Sequence, residues 1–310
     1  MTDYYLAIDI GGTRLRTALF PAGSREPVRH ERISTRGAGS TLDRLCDLVS
    51  RVWPNDGPVR AIGAAAPGPI NPRTGVIYAA PNIPGWRNMP LKKELEDHFH
   101  VPVELGNDAN LAALGEWRFG AGMGCHNLLY LTISTGIGGG VILDDSLVLG
   151  EHGLAGELGH ITVLPDGPLC GCGQRGHLEA IASGTAIARW AAEQLAAGRQ
   201  SSLTPDPAPT AKDVSRAAQA GDALSIEALS RAGHFLGVAL ADFLHAFNPS
   251  MIVLGGGVIS SGEVFLAPVR QAIYDHVMSP AYVQDLKIVK ASLGDDVGLF
   301  GALALAASKY

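Results

Sequence analysis

Long apolar runs, basic clusters and a dense set of cysteines are all missing from this chain. No stretch reaches the roughly 20 apolar residues that span a bilayer, so no membrane helix is expected. Twenty-four Lys and Arg against 30 Asp and Glu leave a net charge of -6. No basic run offers the phosphate footprint that nucleic-acid binding depends on. The start, MTDYYLAIDI, has no basic flank followed by a long apolar stretch and a small-residue cleavage site, so no signal peptide is read. Of the four cysteines, Cys46 and Cys125 are isolated, and Cys170 and Cys172 are too close together for an ordinary bridge. Reduced thiols and a cytoplasmic setting are the expectation.

What is present fits a soluble enzyme. The chain has 310 residues, 46% of them hydrophobic and 17% charged, enough for a large core and two domains or lobes. Its 39 glycines gather in short loops after apolar runs, as tight turns do.

Tyr4–Ile10 and Leu15–Phe20 predict two antiparallel strands around Gly11-Gly12-Thr13. Helical spacing over Ser40–Val52 follows Ser40 and Asp43, which resemble a capping box. Val59–Ala66 predicts a strand ended by Pro67-Gly68-Pro69, and residues 81–90 (PNIPGWRNMP) a loop. Leu91–Phe99 predicts a helix and Val101–Leu105 a strand. Asn107-Asp108 opens an alanine-rich helix to about Phe119. Residues 121–125 read as a hinge into a second half. There Leu128–Ser134, a glycine turn Thr135–Gly140 and Val141–Leu143 echo residues 4–20. The echo implies one nucleotide-gripping unit duplicated and facing itself across a cleft. Helices are expected over Leu178–Ala197, Asp222–Phe247, Glu263–Val277 and Val297–Ser308. Gly198–Pro209 reads as a loop, and Met251–Leu254, ending in Gly255-Gly256-Gly257, and Leu286–Ala291 read as strands.

Three glycine turns, each after an apolar strand, fit phosphates and a nucleoside. Asp9 ends a buried strand before glycines that let backbone amides approach a phosphate, and it would lie near any magnesium. The pattern is neither a P-loop nor a dinucleotide fingerprint. At the strand–helix junction, Asp108 has the type and place of a base for a substrate hydroxyl, and Asn107 could hold the substrate or the carboxylate. The same dipeptide also suits a plain helix N-cap. Between Glu157 and Glu179, His160, Cys170, Cys172 and His177 make a competent tetrahedral zinc set. With four protein ligands and no open position, that zinc is structural rather than catalytic. His98, His100, His126 and His152 read as surface or capping residues, and Trp86 as a side chain that packs its loop down.

Together these segments resemble the ROK family of sugar kinases and sugar-responsive repressors. The resemblance runs in family order through DIGGT at 9–13, AAPGPI at 65–70, PNIPGW at 81–86, NDAN at 107–110, STGIGGG at 134–140, ELGH at 157–160, CGCGQRGHLEA at 170–180 and LGGGV at 254–258. It implies an α/β, two-lobed, actin-like ATPase fold with ribonuclease H-like lobes and a cleft between them. The lobes are expected over 1–120, completed by the helix at 297–310, and over 121–296. It implies Asp108 as catalytic base and Gly68, Asn82, Asn107, Glu157, His160 and Glu179 as sugar contacts. Gly11, Gly12, Thr13, Thr135 and Gly136 become phosphate grips, and Gly256 and Gly257 the nucleoside side. His160 would serve both sugar and zinc. The family's third loop cysteine is replaced here by His177.

The implied activity is an ATP- and magnesium-dependent hexose kinase, most like the glucokinases, in a homodimer or homotetramer with no nucleic-acid or membrane partner. The alternatives keep the chemistry with N-acetylmannosamine, N-acetylglucosamine or fructose, or drop it for a sugar sensor. Repressors of the family carry a helix-turn-helix before the DxGGT strand, and only eight residues precede Asp9 here. That and the intact Asp108 favour the kinase.

Overall fold

The computed structural model describes residues 2–80 and 82–308. Pro81, the first residue of PNIPGW, lies outside them, as do the last two residues of the expected C-terminal helix. Among the described residues no helix is long and apolar enough to cross a membrane. The chain divides into two compact units. Unit 1 comprises Met1–Cys125, Gly140–Gly156 and Ala291–Tyr310; unit 2 comprises His126–Gly139 and Glu157–Lys290.

Unit 1 begins with the hairpin β1 (Tyr4–Ile10) and β2 (Arg14–Pro21), in register from Tyr4 opposite Pro21 to Ile10 opposite Leu15. β3 (Arg29–Ser34) lies beyond β2, and α1 (Thr41–Val52) packs on β2 and β3. β4 (Val59–Ala66) runs parallel to β1. A small antiparallel sheet follows, β5 (Ile70–Asn71), β6 (Val76–Ala79) and β7 (Arg87–Met89). Then come α2 (Leu91–Phe99), β8 (Val103–Asn107) and α3 (Asp108–Phe119). The main sheet has the order β3-β2-β1-β4-β8.

The second sheet starts with β9 (Leu128–Ile133), β10 (Ile137–Leu143) and β11 (Ser146–Leu147). Helices α4 (Glu179–Ala182), α5 (Gly184–Ala196), α6 (Ala211–Gln219) and α7 (Ala223–Phe247) precede β12 (Met251–Gly255). α8 (Glu263–His276), β13 (Lys287–Lys290) and α9 (Val297–Ala307) complete the chain. The sheet order is β11-β10-β9-β12-β13. Counted along the chain, each main sheet therefore reads third, second, first, fourth, fifth strand, so the echo in the sequence is an echo in topology.

α9 packs against α3, β1 and β4 within unit 1. The α3–α9 crossing depends on small residues. A Cβ on Gly115 would come within 2.9 Å of the Gly301 amide, and one on Gly301 within 1.9 Å of the Leu111 carbonyl. α3 is buried from Ala109 to Trp117, which is how a helix enclosed on all sides looks. The core of unit 1 also includes Leu6, Ile8, Leu15, Leu45, Leu48 and Ile62, each fully buried. Burial of such a side chain contributes about 1.5–3 kcal/mol, which makes this sheet a rigid base for the loops it carries.

Several expectations need correction. Gly138, Gly139 and Gly140 are strand residues, not a turn, and only Ser134–Gly136 turn. A Cβ on Gly139 would sit 2.6 Å from the Leu158 side chain, and one on Gly140 2.5 Å from the Ala113 side chain; close approach is the reason for glycine inside this strand. The helix expected over 178–197 breaks at Ser183, whose hydroxyl caps α5 by accepting from the Ala186 amide. The last strand before α3 lies two residues later than expected, at Val103–Asn107.

Candidate active site

The β8–α3 junction separates the two roles that the sequence left open for Asn107-Asp108. Asn107 is the cap: its Oδ1 accepts from the amides of Ala109 (2.9 Å) and Asn110 (3.2 Å). Its Nδ2 donates to the Gly68 carbonyl at 3.2 Å. Asp108, the first residue of the helix, accepts from the Ala109 amide at 2.8 Å and is exposed. A carboxylate there also benefits from the positive end of the helix dipole. Gly68 has φ +91°, and a Cβ would lie 2.0 Å from the Ala79 carbonyl, so only glycine fits. Asn110, next along, reaches the Ala155 carbonyl with its Nδ2 (3.2 Å).

The first phosphate-type turn, Gly11–Thr13, closes with the Gly11 amide on the Arg14 carbonyl at 2.8 Å. Asn82 backs it: a Cβ on Gly12 would be 2.7 Å from the Asn82 Cβ. Trp86 is 6% exposed and belongs to the unit 1 core, which is the packing role expected of it. Asp9 sits beside the turn, paired with the Arg16 guanidinium, whose Nε donates to its Oδ2 at 2.9 Å. Burial pushes the Asp9 carboxyl above its ordinary value, and Arg16 pulls the other way. The turn opens on a groove of about 970 Å³ lined also by Asp9, Arg14, Arg16 and Arg32.

In unit 2, Thr135 and Gly136 form the corresponding turn, closed by the Ser134 amide on the Gly136 carbonyl at 2.9 Å. Gly256, with φ +88°, could not carry a side chain: a Cβ would be 2.2 Å from the Ile133 carbonyl. Gly257 follows it, and a cavity of about 740 Å³ is lined by Ser134, Thr135, Thr185, Thr210 and Gly257.

His160, Cys170, Cys172 and His177 come together in unit 2 with their ligand atoms all within 4.8 Å of one another. Cys170 Sγ is 3.6 Å from His160 Nδ1, and Cys172 Sγ is 3.3 Å from His177 Nδ1. Zinc bonds of about 2.0–2.3 Å in a tetrahedron place ligand atoms about 3.3–3.8 Å apart, so the donor set and spacing fit that ion. Burial pushes the Cys170 thiol up from its ordinary value, a cost that a metal cation reverses. The other His160 nitrogen, Nε2, lies 4.0 Å from the Glu157 carboxylate. Glu179 bridges two features: its Oε2 accepts from the Ile137 amide at 2.9 Å, and its Oε1 lies 3.7 Å from Cys170 Sγ.

The structure thus groups Gly68, Asn82, Asn107 and Asp108 with the first turn in unit 1. It groups Glu157, His160 and Glu179 with the metal-type cluster in unit 2. The sequence did not single out Thr35, Asn110, Glu116, Arg16 or Thr185. Glu116 is fully buried and accepts from Ala121, Ser292 and Leu293 amides and the Ser292 hydroxyl. Such roles depend on pairings distant in the chain and leave no local signal.

Known proteins resemble this chain along nearly its whole length. A glucokinase of Halalkalibacterium halodurans is 39% identical over 313 aligned residues, covering 97% of this chain and 94% of that protein. The solved ROK hexokinase of Thermus thermophilus matches with a TM-score of 0.83 at 35% identity, covering 99% of this chain and 98% of that one. A ROK family glucokinase of Streptomyces griseus, solved in complex with glucose and AMPPNP, matches at 0.81 and 34% identity over 98% and 99% of the two chains. The ROK family matches residues 5–309, so the chain belongs to the ROK family and has its actin-like α/β fold.

Proposed function

We propose that this protein transfers the γ-phosphoryl group of ATP to a hexose, with glucose the preferred acceptor and its 6-hydroxyl the attacking group. The observation that carries the reading is the β8–α3 junction: Asn107 caps α3, and the Asp108 carboxylate stands exposed at the first residue of that helix. Asp108 accepts the hydroxyl proton as the sugar oxygen bonds to phosphorus and ADP leaves. Phosphoryl transfer asks little else of the protein than positioning and charge stabilisation. The Gly11–Thr13 and Thr135–Gly136 turns supply backbone amides for the phosphates, and Gly256 and Gly257 border the nucleoside. Asp9, held by Arg16, would address the magnesium that accompanies ATP. Gly68, Asn82, Asn107, Glu157, His160 and Glu179 would supply the sugar contacts.

A zinc ion held by His160, Cys170, Cys172 and His177 would supply a structural cross-link. His177, in place of the family's usual cysteine, keeps the set at four ligands. A cytoplasmic homo-oligomer belongs to the same proposal, and light scattering on the purified protein tests the assembly.

A coupled ADP-release assay over glucose, fructose, N-acetylglucosamine and N-acetylmannosamine tests the reaction and its acceptor. Asp108→Asn should lower kcat about 10²–10⁴-fold while glucose binding, read by calorimetry, is kept. Retention of more than about a tenth of kcat would place the base elsewhere. A higher kcat/KM for an N-acetyl sugar would reassign the acceptor and leave the kinase standing.

A further inference from the structure

The two turns assigned to phosphates share a device that neither the glycines nor the family motifs announce. A turn binds an anion through its amides only if its carbonyl oxygens are turned elsewhere. In unit 1, Thr35 does this twice. Its hydroxyl donates to the Gly11 carbonyl at 2.6 Å, and its backbone amide donates to the Thr13 carbonyl at 2.9 Å. Among the described residues, the amides of Gly12 and Thr13 have no protein acceptor. Thr35 is 2% exposed, so its hydroxyl has no duty toward solvent.

In unit 2 the same pattern is built from different parts. The Gly184 amide donates to the Ser134 carbonyl at 2.7 Å, and the Thr185 hydroxyl donates to the Thr135 carbonyl at 2.8 Å. The amides of Thr135 and Gly136 are likewise left without a protein acceptor among the described residues. One amide and one threonine hydroxyl occupy two carbonyls in each turn. In the first case they come from the residue after β3, in the second from the start of α5.

We propose that Thr35 and Thr185 are positioning residues that hold the carbonyls of the two turns away from the nucleotide phosphates, so that the open amides face them. The assignment rests on the kinase reading for what binds there. Its consequence is a separation of effects: losing either hydroxyl should weaken the donor and spare the sugar. A freed carbonyl can rotate toward the phosphate, replacing attraction by repulsion.

Thr35→Val removes the hydroxyl at nearly constant volume and keeps the backbone bond to Thr13; Thr35→Ser restores the hydroxyl. The measurements are kcat and KM for ATP and for glucose, together with binding of magnesium–AMPPNP and of glucose alone by calorimetry. Thr35→Val should lower kcat/KM for ATP and AMPPNP affinity about tenfold, the scale of one unmade buried hydrogen bond. Glucose affinity should stay within about twofold, and Thr35→Ser should recover most of the ATP loss. Should Thr35→Val fail to fold, Thr185→Val tests the same separation of ATP from glucose with a smaller expected loss for ATP, because Thr185 and its hydrogen bond are exposed. Unchanged AMPPNP affinity, or equal losses for ATP and glucose that serine does not rescue, overturns the assignment. Wild-type protein that binds AMPPNP and responds as expected, yet phosphorylates no hexose, would retain the positioning role and overturn the kinase reading.

Discussion

The Gly11–Thr13 and Ser134–Gly136 turns join the first two strands of sheets with the same strand order, yet they are supported differently. The unit 1 turn is held by its own sheet, through Thr35 at the end of β3. The unit 2 turn is held from outside its sheet, by the start of α5 and by Glu179, whose other carboxylate oxygen approaches Cys170. Regular backbone ladders form whenever the strands do. A loop held by a metal forms only when the ion is present. With zinc bound as proposed, the unit 2 grip would be the copy whose Glu179 support depends on an ion.

The proposed zinc offers the strongest way to break the parallel. Protein purified without chelator should contain one zinc per protomer. Stripping it should loosen the Glu157–Glu179 segment and raise the glucose KM, while the unit 1 turn keeps its structure. His177→Ala should weaken metal binding by more than the about 10–100-fold seen when an outer support of a metal site is lost. Elemental analysis, limited proteolysis and KM measurements check this. Metal-free protein with a normal glucose KM and an undisturbed segment would remove the metal from the account.

A sharper comparison puts one methyl group into each turn. In Gly12→Ala the new Cβ meets the Asn82 Cβ at 2.7 Å, an atom fixed to the backbone that no rotamer change can move. Overpacking of this kind costs about 1–3 kcal/mol. In Gly136→Ala it meets Glu179 Oε2 at 2.4 Å, the far end of a flexible side chain. That carboxylate can swing aside and release the Ile137 amide. Gly12→Ala should lower kcat/KM for both ATP and glucose more than Gly136→Ala does. The second variant should act chiefly on the glucose KM. Equal losses in the two variants would mean that the turns are supported alike.

Much of this was legible in the sequence, for physical reasons that also explain the gaps. β1, β4, β9 and β12 are buried strands and read as apolar runs, and the helices beside them show regular spacing. β3, with the sequence RHERIS, is almost wholly exposed, and of its side chains only the half-buried Ile33 packs against the core, so no hydrophobic pattern marks it. β7 lies in a segment read as loop, where proline and glycine dominate the local pattern. α6 was missed although Thr210 and Asp213 form a full capping box, a signal available from the residues alone. The cluster His160, Cys170, Cys172 and His177 was visible because a metal needs particular atoms at short chain separation. Thr35 was not, because its meeting with Thr13 exists only once β3 has paired with β2.

Helix capping supplies the smallest contrast between the units. Ser40 caps α1 through a neutral hydroxyl accepting from the Asp43 amide at 3.0 Å. Asp222 caps α7 by accepting from the Ser225 amide at 2.9 Å, and also takes the Ser201 hydroxyl at 2.9 Å and the Ser202 amide at 2.7 Å. Burial alone would push the Asp222 carboxyl up, but these hydrogen bonds outweigh it and hold it at about 2. An aspartate in an unfolded chain titrates near 3.9. The folded value is the lower of the two, so the stabilisation is complete above the unfolded value and is lost as the pH falls from about 4 to about 2. Replacing either cap by alanine should cost about 0.5–2 kcal/mol near neutral pH. In urea unfolding the Asp222→Ala penalty should shrink as the pH is lowered toward 2, because the wild-type cap is itself being protonated. The Ser40→Ala penalty, with no charge at stake on the capping group, should hold steady over the same range. An Asp222→Ala penalty as large near pH 2 as near pH 7 would show that the charge on this carboxylate contributes nothing to the capping of α7.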